Sequence, residues 1–230
     1  MSVITRDILY QAYRKGEIKE NSPFHKGSSD ILTPSAREFL ASKQIVVEED
    51  NDTTSPKKPE ELTHLHEGML VPKNHPRIVL RGKLDRLESE IIFAELVAKK
   101  EGYMDVISDL EEIIKSIRLM IRCEVKDEPL PELKVLGLTT SELREHSHHL
   151  HANYGIHHFL PSYTQGEMVC ALNRLRTFVR EVEISAFNAF VNDKNKLERY
   201  DILTALNRLS SAFFIMMAKV LTDRYKKEKL

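Results

Sequence analysis

From Gly82 onward the apolar residues fall in steps of three and four. Leu84, Leu87, Ile91, Ala94 and Ala98 keep that rhythm up to Gly102, and Val106, Leu110, Ile113, Ile117 and Met120 resume it over 103–124. This is the 3.6-residue period of an amphipathic helix. Pro129 and Pro131 close the stretch, and a short helix is predicted over 139–150, opening at the capping sequence Thr139-Thr140-Ser141-Glu142. Two long helices follow, over 164–192 and 199–226. The first has the seam Met168, Leu172, Leu175, Val179, Val182, Ala186 and Ala189; the second has Leu203, Leu206, Ser210, Phe213, Met217 and Val220. Short connections between long one-faced helices predict an all-α fold, a four- or five-helix antiparallel bundle.

The first 48 residues read differently, as a small α/β appendage. Thr5 starts a helix running to Lys15. Thr33-Pro34 sets an N-cap and a first-turn proline for a helix to Ser42. Residues 44–48 read as a strand around Ile45, Val46 and Val47. Residues 49–61 are charged, contain two prolines and lack large apolar side chains, so they read as a linker. The bundle domain is then 62–230.

Composition narrows the function classes. Lys and Arg total 34 against 35 Asp and Glu, a formal charge of -1. Such a balance argues against nucleic acid as a partner and against a polybasic membrane anchor. The chain lacks a leader pattern at its N-terminus and an apolar run of about 18 residues, so a cytoplasmic protein with no membrane partner is expected. Cys123 and Cys170 stand far apart in helical contexts and read as buried apolar thiols.

Three constellations interrupt the apolar pattern. Beside the seam of the 164–192 helix, Arg176, Arg180 and Glu183 share a face at i, i+4 and i+7. Spacing alone favours a solvated flank of ion pairs; the alternative is an anion-binding row, because a guanidinium grips phosphate with a charged fork. In the last helix, Asn207, Ser210 and Ser211 form a polar island that needs partners in its surroundings. The third runs Lys73-x-x-x-Arg77-x-x-x-Arg81-Gly82-Lys83-x-Asp85 and is read as cations leading into a helix N-terminus, which suits phosphate, with Asp85 fitting equally a plain first-turn acid that stabilises the helix dipole.

Arg176-x-x-x-Arg180-x-x-Glu183 followed by Leu206-Asn207-Arg208-Leu209-Ser210 resembles the C-terminal signature of the bundle-type ATP:cobalamin adenosyltransferases. Lys73 to Arg77 and Gly82 to Leu87 look like that family's first-helix motif. Leu32-Thr33-Pro34-Ser35-Ala36-Arg37-Glu38 and Leu62-Thr63-His64-Leu65 resemble its ethanolamine-utilisation branch. The resemblance implies a bundle of ferritin-like topology that moves the 5′-deoxyadenosyl group of ATP to the cobalt of reduced cobalamin. It implies that Lys73 and Arg77 hold ATP phosphates, and that Arg180 acts on the leaving triphosphate. Glu183 and Asn207 would bind the nucleotide, Asp85 would pair with Arg176, and Phe159 would shield the lower face of cobalt. Further implications are a homo-oligomer, trimer or dimer, with sites between subunits, a flavoprotein reductant and association with a bacterial microcompartment.

Two departures accompany the likeness. No glycine-rich threonine loop precedes residue 70, so Thr63 to Met69 is the candidate cover for the nucleotide. The Cys-Cys-x-x-Cys motif frequent in the ethanolamine branch is absent from 49–61, which points to a form holding no metal of its own and needing only Mg²⁺ with ATP. Six of the ten histidines fall in 146–158, read as a loop without a fixed ligand spacing; each one by itself reads first as part of an exposed loop that binds metal only adventitiously, and the functional alternative is contact with the corrinoid, with Ser147-His148 the pair singled out. The competing functions are a cobalamin carrier without catalysis and a protein that docks in a larger complex.

Overall fold

A computed structural model describes residues 3–27, 30–50, 58–66, 68–192 and 194–228, and the chain divides into two compact units, Met1–Pro59 and Glu60–Leu230. The linker expected over 49–61 includes residues 51–57, which lie outside the described residues.

The first unit runs β1 (Val3–Ile4), α1 (Arg6–Arg14), β2 (Phe24–Gly27), β3 (Ile31–Leu32), α2 (Pro34–Ser42) and β4 (Val47–Asp50). β1 pairs in parallel with β3, and β2 with β4. Thr33 caps α2, its Oγ1 accepting from the Ala36 amide at 3.3 Å with Pro34 in the first turn. Thr5 occupies the cap position of α1 without a side-chain bond. The strand expected over 44–48 begins at Val47 instead, because Gln44 turns the chain with φ 58 and Ile45 drops into the core. Its partner β2 has one large apolar residue, Phe24, too weak a pattern to read from sequence. Leu9, Leu32, Ala36, Phe39, Leu40 and Ile45 make this unit's core.

The second unit opens with an antiparallel hairpin, β5 (Leu62–His66) and β6 (Met69–Pro72). It continues through α3 (Pro76–Glu101), α4 (Met104–Lys126), α5 (Thr140–His148), α6 (Leu150–Tyr154), a 3₁₀ turn (Tyr163–Gln165), α7 (Glu167–Phe190) and α8 (Tyr200–Leu221). The helix expected from Gly82 starts at Pro76. His75 caps it through Nδ1, which accepts from the Arg77 amide at 3.3 Å, and proline suits the first turn. Arg77, Arg81 and Lys83 therefore lie along α3 and do not lead into its N-terminus.

The histidine-rich segment is not a plain loop. α5 carries it to His148, and α6 buries Leu150 and Tyr154. The capping box at the head of α5 is complete: the Glu142 amide donates to Thr139 Oγ1, and the Thr139 amide donates to Glu142 Oε2 at 2.8 Å. α7 starts at Glu167 rather than near Thr164, because Ser162 and Gln165 cap a separate 3₁₀ turn and Gly166 redirects the chain at φ 97.

The expected seams of α3, α4 and α7 are buried, apart from Ala189, which is half-buried. α8 differs: ten of its 22 residues are buried, including Leu209, Ile215 and Met216 off the expected stripe, while Leu203 and Ser210 are only half-buried. It packs against α4, α5, α6 and α7. Cys123 is buried, but Cys170 is exposed, since it sits between seam residues on the outer side of α7. Among the described residues no helix is long and apolar enough to cross a membrane.

Candidate functional site

α7 places Arg176, Arg180 and Glu183 along one flank, and each has a different environment. Arg176 is half-buried and donates from Nε to Asn173 Oδ1 at 3.1 Å. Burial, and then the neighbouring Arg180, hold its guanidinium below the ordinary arginine value. Arg180 is exposed and has no ion-pair partner among the described residues. Glu183 accepts from Asn207 Nδ2 at 2.7 Å, and Asn207 Oδ1 accepts from Arg208 at 2.5 Å. Three polar side chains are thereby linked across α7 and α8, which answers the need of Asn207 for a partner inside an apolar helix.

Two cavities flank this row. One, of about 310 Å³, is lined by His148, His158, Phe159, Arg176, Ser210 and Phe214 among others. Its aromatic wall is ordered by stacking: Phe159 lies on Phe214 with centroids 5.1 Å apart and planes 23° apart, and His158 meets the same ring at 5.2 Å. The other, of about 450 Å³, is polar and is lined by Thr140, Arg144, Glu183, Thr204, Asn207 and Arg208 among others. α5 borders both, with Arg144 at one and Ser147 and His148 at the other. α8 does the same with Asn207 and Ser210.

The remaining expected residues lie outside both cavities. Lys73 follows the hairpin and pairs with Glu60 at 3.7 Å. Arg77 pairs through Nε with Glu124 Oε1 and donates to the Glu124 carbonyl at 2.6 Å; Arg81 Nε reaches Glu124 Oε2 at 2.5 Å. Glu124 is 1% exposed, so this is a buried ion triad joining α3 to α4. The pairing expected between Asp85 and Arg176 is absent from the single chain. Asp85 is on the exposed face of α3, and Arg176 is turned to Asn173.

The histidines make ring contacts with one another and with neighbouring aromatics. His151 stacks on His157 at 4.4 Å, and His146 Nδ1 lies 2.8 Å from the Tyr154 hydroxyl. Among the described residues no group of three or more His, Cys, Asp or Glu converges as a metal site.

Arg144, Thr204, Phe214 and Glu124 were not singled out from sequence. Arg144 and Thr204 carry no pattern of their own. Glu124 did: it follows Met120 by four on the α4 seam, an acid at a core position.

The sequence matches the cobalamin adenosyltransferase family over residues 54–220. The chain belongs to that family. It is 30% identical to corrinoid adenosyltransferase EutT of Salmonella typhimurium strain LT2 over 234 residues, covering 87% of this chain and 86% of the relative. It is 27% identical to corrinoid adenosyltransferase EutT of Escherichia coli strain K12 over 255 residues, covering 95% and 94%. As a cobalamin adenosyltransferase the chain is an enzyme, and the ethanolamine-utilisation branch expected from Leu32 to Glu38 and Leu62 to Leu65 is supported by these likenesses. The matched segment includes α7 and α8 with both cavities.

Proposed function

We infer that this adenosyltransferase joins the 5′-deoxyadenosyl group of ATP to cobalamin in the groove between α5, α7 and α8. The observation that carries the assignment is the division of one charged row: Arg176 borders the aromatic cavity, Glu183 the polar one, and the unpaired Arg180 stands between them on the same flank. Stacked aromatics suit the flat corrin face, and arginine suits phosphate.

In the reaction the Co(I) electron pair attacks C5′ of ATP, a Co–C bond forms and the C5′–O bond breaks. Triphosphate leaves with the bonding pair, and cobalt is formally oxidised to Co(III). No proton needs to be moved, so catalysis rests on positioning and electrostatics. Arg180 offsets the charge gathering on the leaving oxygen. Glu183, held by Asn207, orients the nucleoside. Phe159, backed by Phe214, excludes a lower axial ligand and so eases reduction of Co(II), while His148 contacts the corrin rim and Arg176 anchors its edge. Mg²⁺ enters the proposal as a companion of the nucleotide, ligated by phosphate and water.

Lys73, Arg77 and Asp85 enter the proposal through a second copy of the chain, Lys73 and Arg77 for ATP phosphates and Asp85 as the partner of Arg176. Support comes from α3, where Ile92, Phe93 and Leu96 continue the exposed face of Asp85 at 45%, 61% and 60% exposure. A flavoprotein reductant and association with a microcompartment complete the proposal on family likeness.

The test is to mix the protein with ATP, Mg²⁺ and chemically reduced cobalamin and follow the cobalamin spectrum, with and without a transition-metal chelator. Adenosylcobalamin formation that resists the chelator and is lost in Arg180→Ala is expected. Tight cobalamin binding without conversion would overturn the enzymatic assignment.

A further inference from the structure

The polar cavity holds two guanidiniums that the family motifs leave without a joint role. Arg208 comes from α8 and is half-buried; Arg144 comes from α5, is exposed and has no side-chain partner among the described residues. Thr140, in the first turn of α5, and Thr204, on α8, line the same cavity with hydroxyls. Neither carboxylate of the cavity forms an ion pair with these arginines among the described residues: Glu183 accepts from Asn207, and Glu132 is exposed. Arg208 is held below the ordinary arginine value first by burial and next by repulsion from Arg144, which outweighs the attraction of Glu183. Two guanidiniums facing one cavity, with two hydroxyls beside them, are a receptor for an oxyanion.

We propose that Arg144 and Arg208 form a phosphate subsite at the α5–α8 edge of the groove, with Arg144 as a binding residue for a phosphate carried by one of the two substrates. The proposal rests on the adenosyltransferase assignment and adds to it a contact outside the Arg176–Arg180–Glu183 row. Both substrates carry the required chemistry, ATP in its triphosphate and cobalamin in the phosphodiester of its nucleotide loop. Cobinamide lacks that phosphodiester and separates the two sources. Arg144 is the residue to vary, because Arg208 also holds Asn207 and its loss would disturb the nucleoside contact.

Steady-state adenosylation by Arg144→Ala and Arg144→Lys is compared with the wild type, using ATP with cobalamin and ATP with cobinamide. The subsite predicts a KM rise of about tenfold in Arg144→Ala with kcat changed less than about threefold, and partial rescue by lysine. If the subsite serves ATP, KM for ATP rises with either corrinoid and inhibition by inorganic tripolyphosphate weakens in parallel. If it serves the nucleotide loop, KM for cobalamin rises towards that for cobinamide, and KM for cobinamide stays put. Unchanged KM values for ATP and cobalamin in Arg144→Ala overturn the subsite and leave the enzymatic assignment standing; a wild-type protein without conversion defeats that assignment instead.

Discussion

Asn207 Nδ2 donates to Glu183 Oε1 at 2.7 Å and fastens α8 to α7 at the edge of the polar cavity. The bond runs from a neutral amide to a carboxylate, the stronger kind of side-chain contact. Asn207→Ala frees Glu183 to swing and unseats Arg208. Expected is a fall in kcat/KM for ATP of about tenfold or more, with a loss of only about 1 kcal/mol in stability. Steady-state kinetics beside a thermal melt decides it: a variant that loses stability but keeps full activity would show the bond to be structural alone.

Glu124 is the single acid between Arg77 and Arg81, at 1% exposure. Removing it strands two guanidiniums at the α3–α4 seam. Glu124→Ala should lower unfolding free energy by about 3–5 kcal/mol, read from urea denaturation. Replacing all three residues by apolar ones of similar size should recover most of that loss, since the triad's own desolvation cost disappears with its attraction.

Gly102 ends α3 at φ +82, and a Cβ there would press on the Glu228 carbonyl oxygen. The Glu228 amide also donates to the Gly102 carbonyl at 2.9 Å, so the chain near the C-terminus is laid directly on this turn. Gly102→Ala combines left-handed strain with a backbone collision and should cost roughly 2–4 kcal/mol. A melting temperature within a degree of the wild type would show that the terminal contact yields freely.

Glu95 has a buried Oε1 with no hydrogen-bond partner, and its carboxyl is raised above the ordinary 4.5 by desolvation first and by Glu111 second, with Arg118 opposing. The fold therefore prefers the protonated form. That contribution is fully present below 4.5 and is lost as pH climbs through the raised value. Glu95→Gln should flatten the pH dependence of stability above about 4.5 and lift the neutral-pH melting temperature by about 1–2 °C. Melts across pH 4 to 8 test this, and an unchanged slope would remove Glu95 as its source.

The parts of this molecule that could be read from sequence are those where one face of a helix is buried and the other is wet. α3, α4 and α7 meet that condition, and their seams were located residue by residue. α8 is buried around much of its circumference, so period alone selected one stripe and passed over Leu209, Ile215 and Met216. Cations at Arg77 and Arg81 hid the first turns of α3, because their neutralising partner Glu124 lies 47 and 43 residues away. Among the candidate site residues, Arg176, Arg180, Glu183 and Asn207 stood out because they interrupt apolar helices, while their proposed roles, and Phe159, came from family motifs. Arg144 did not: an exposed arginine on a short polar helix looks like any solvated charge until the opposite wall is known. Phe214 lies beside the α8 seam, and only its stacking on Phe159 distinguishes it.

α5 buries one side chain, Leu143, while presenting Arg144, Ser147 and His148 to the two cavities. Substitutions at these three positions leave the packed interior almost untouched, so they can accumulate without the stability penalty that limits change on α7 and α8. Under the proposed function, α5 is therefore the wall on which substrate preference can be altered at the least cost in stability.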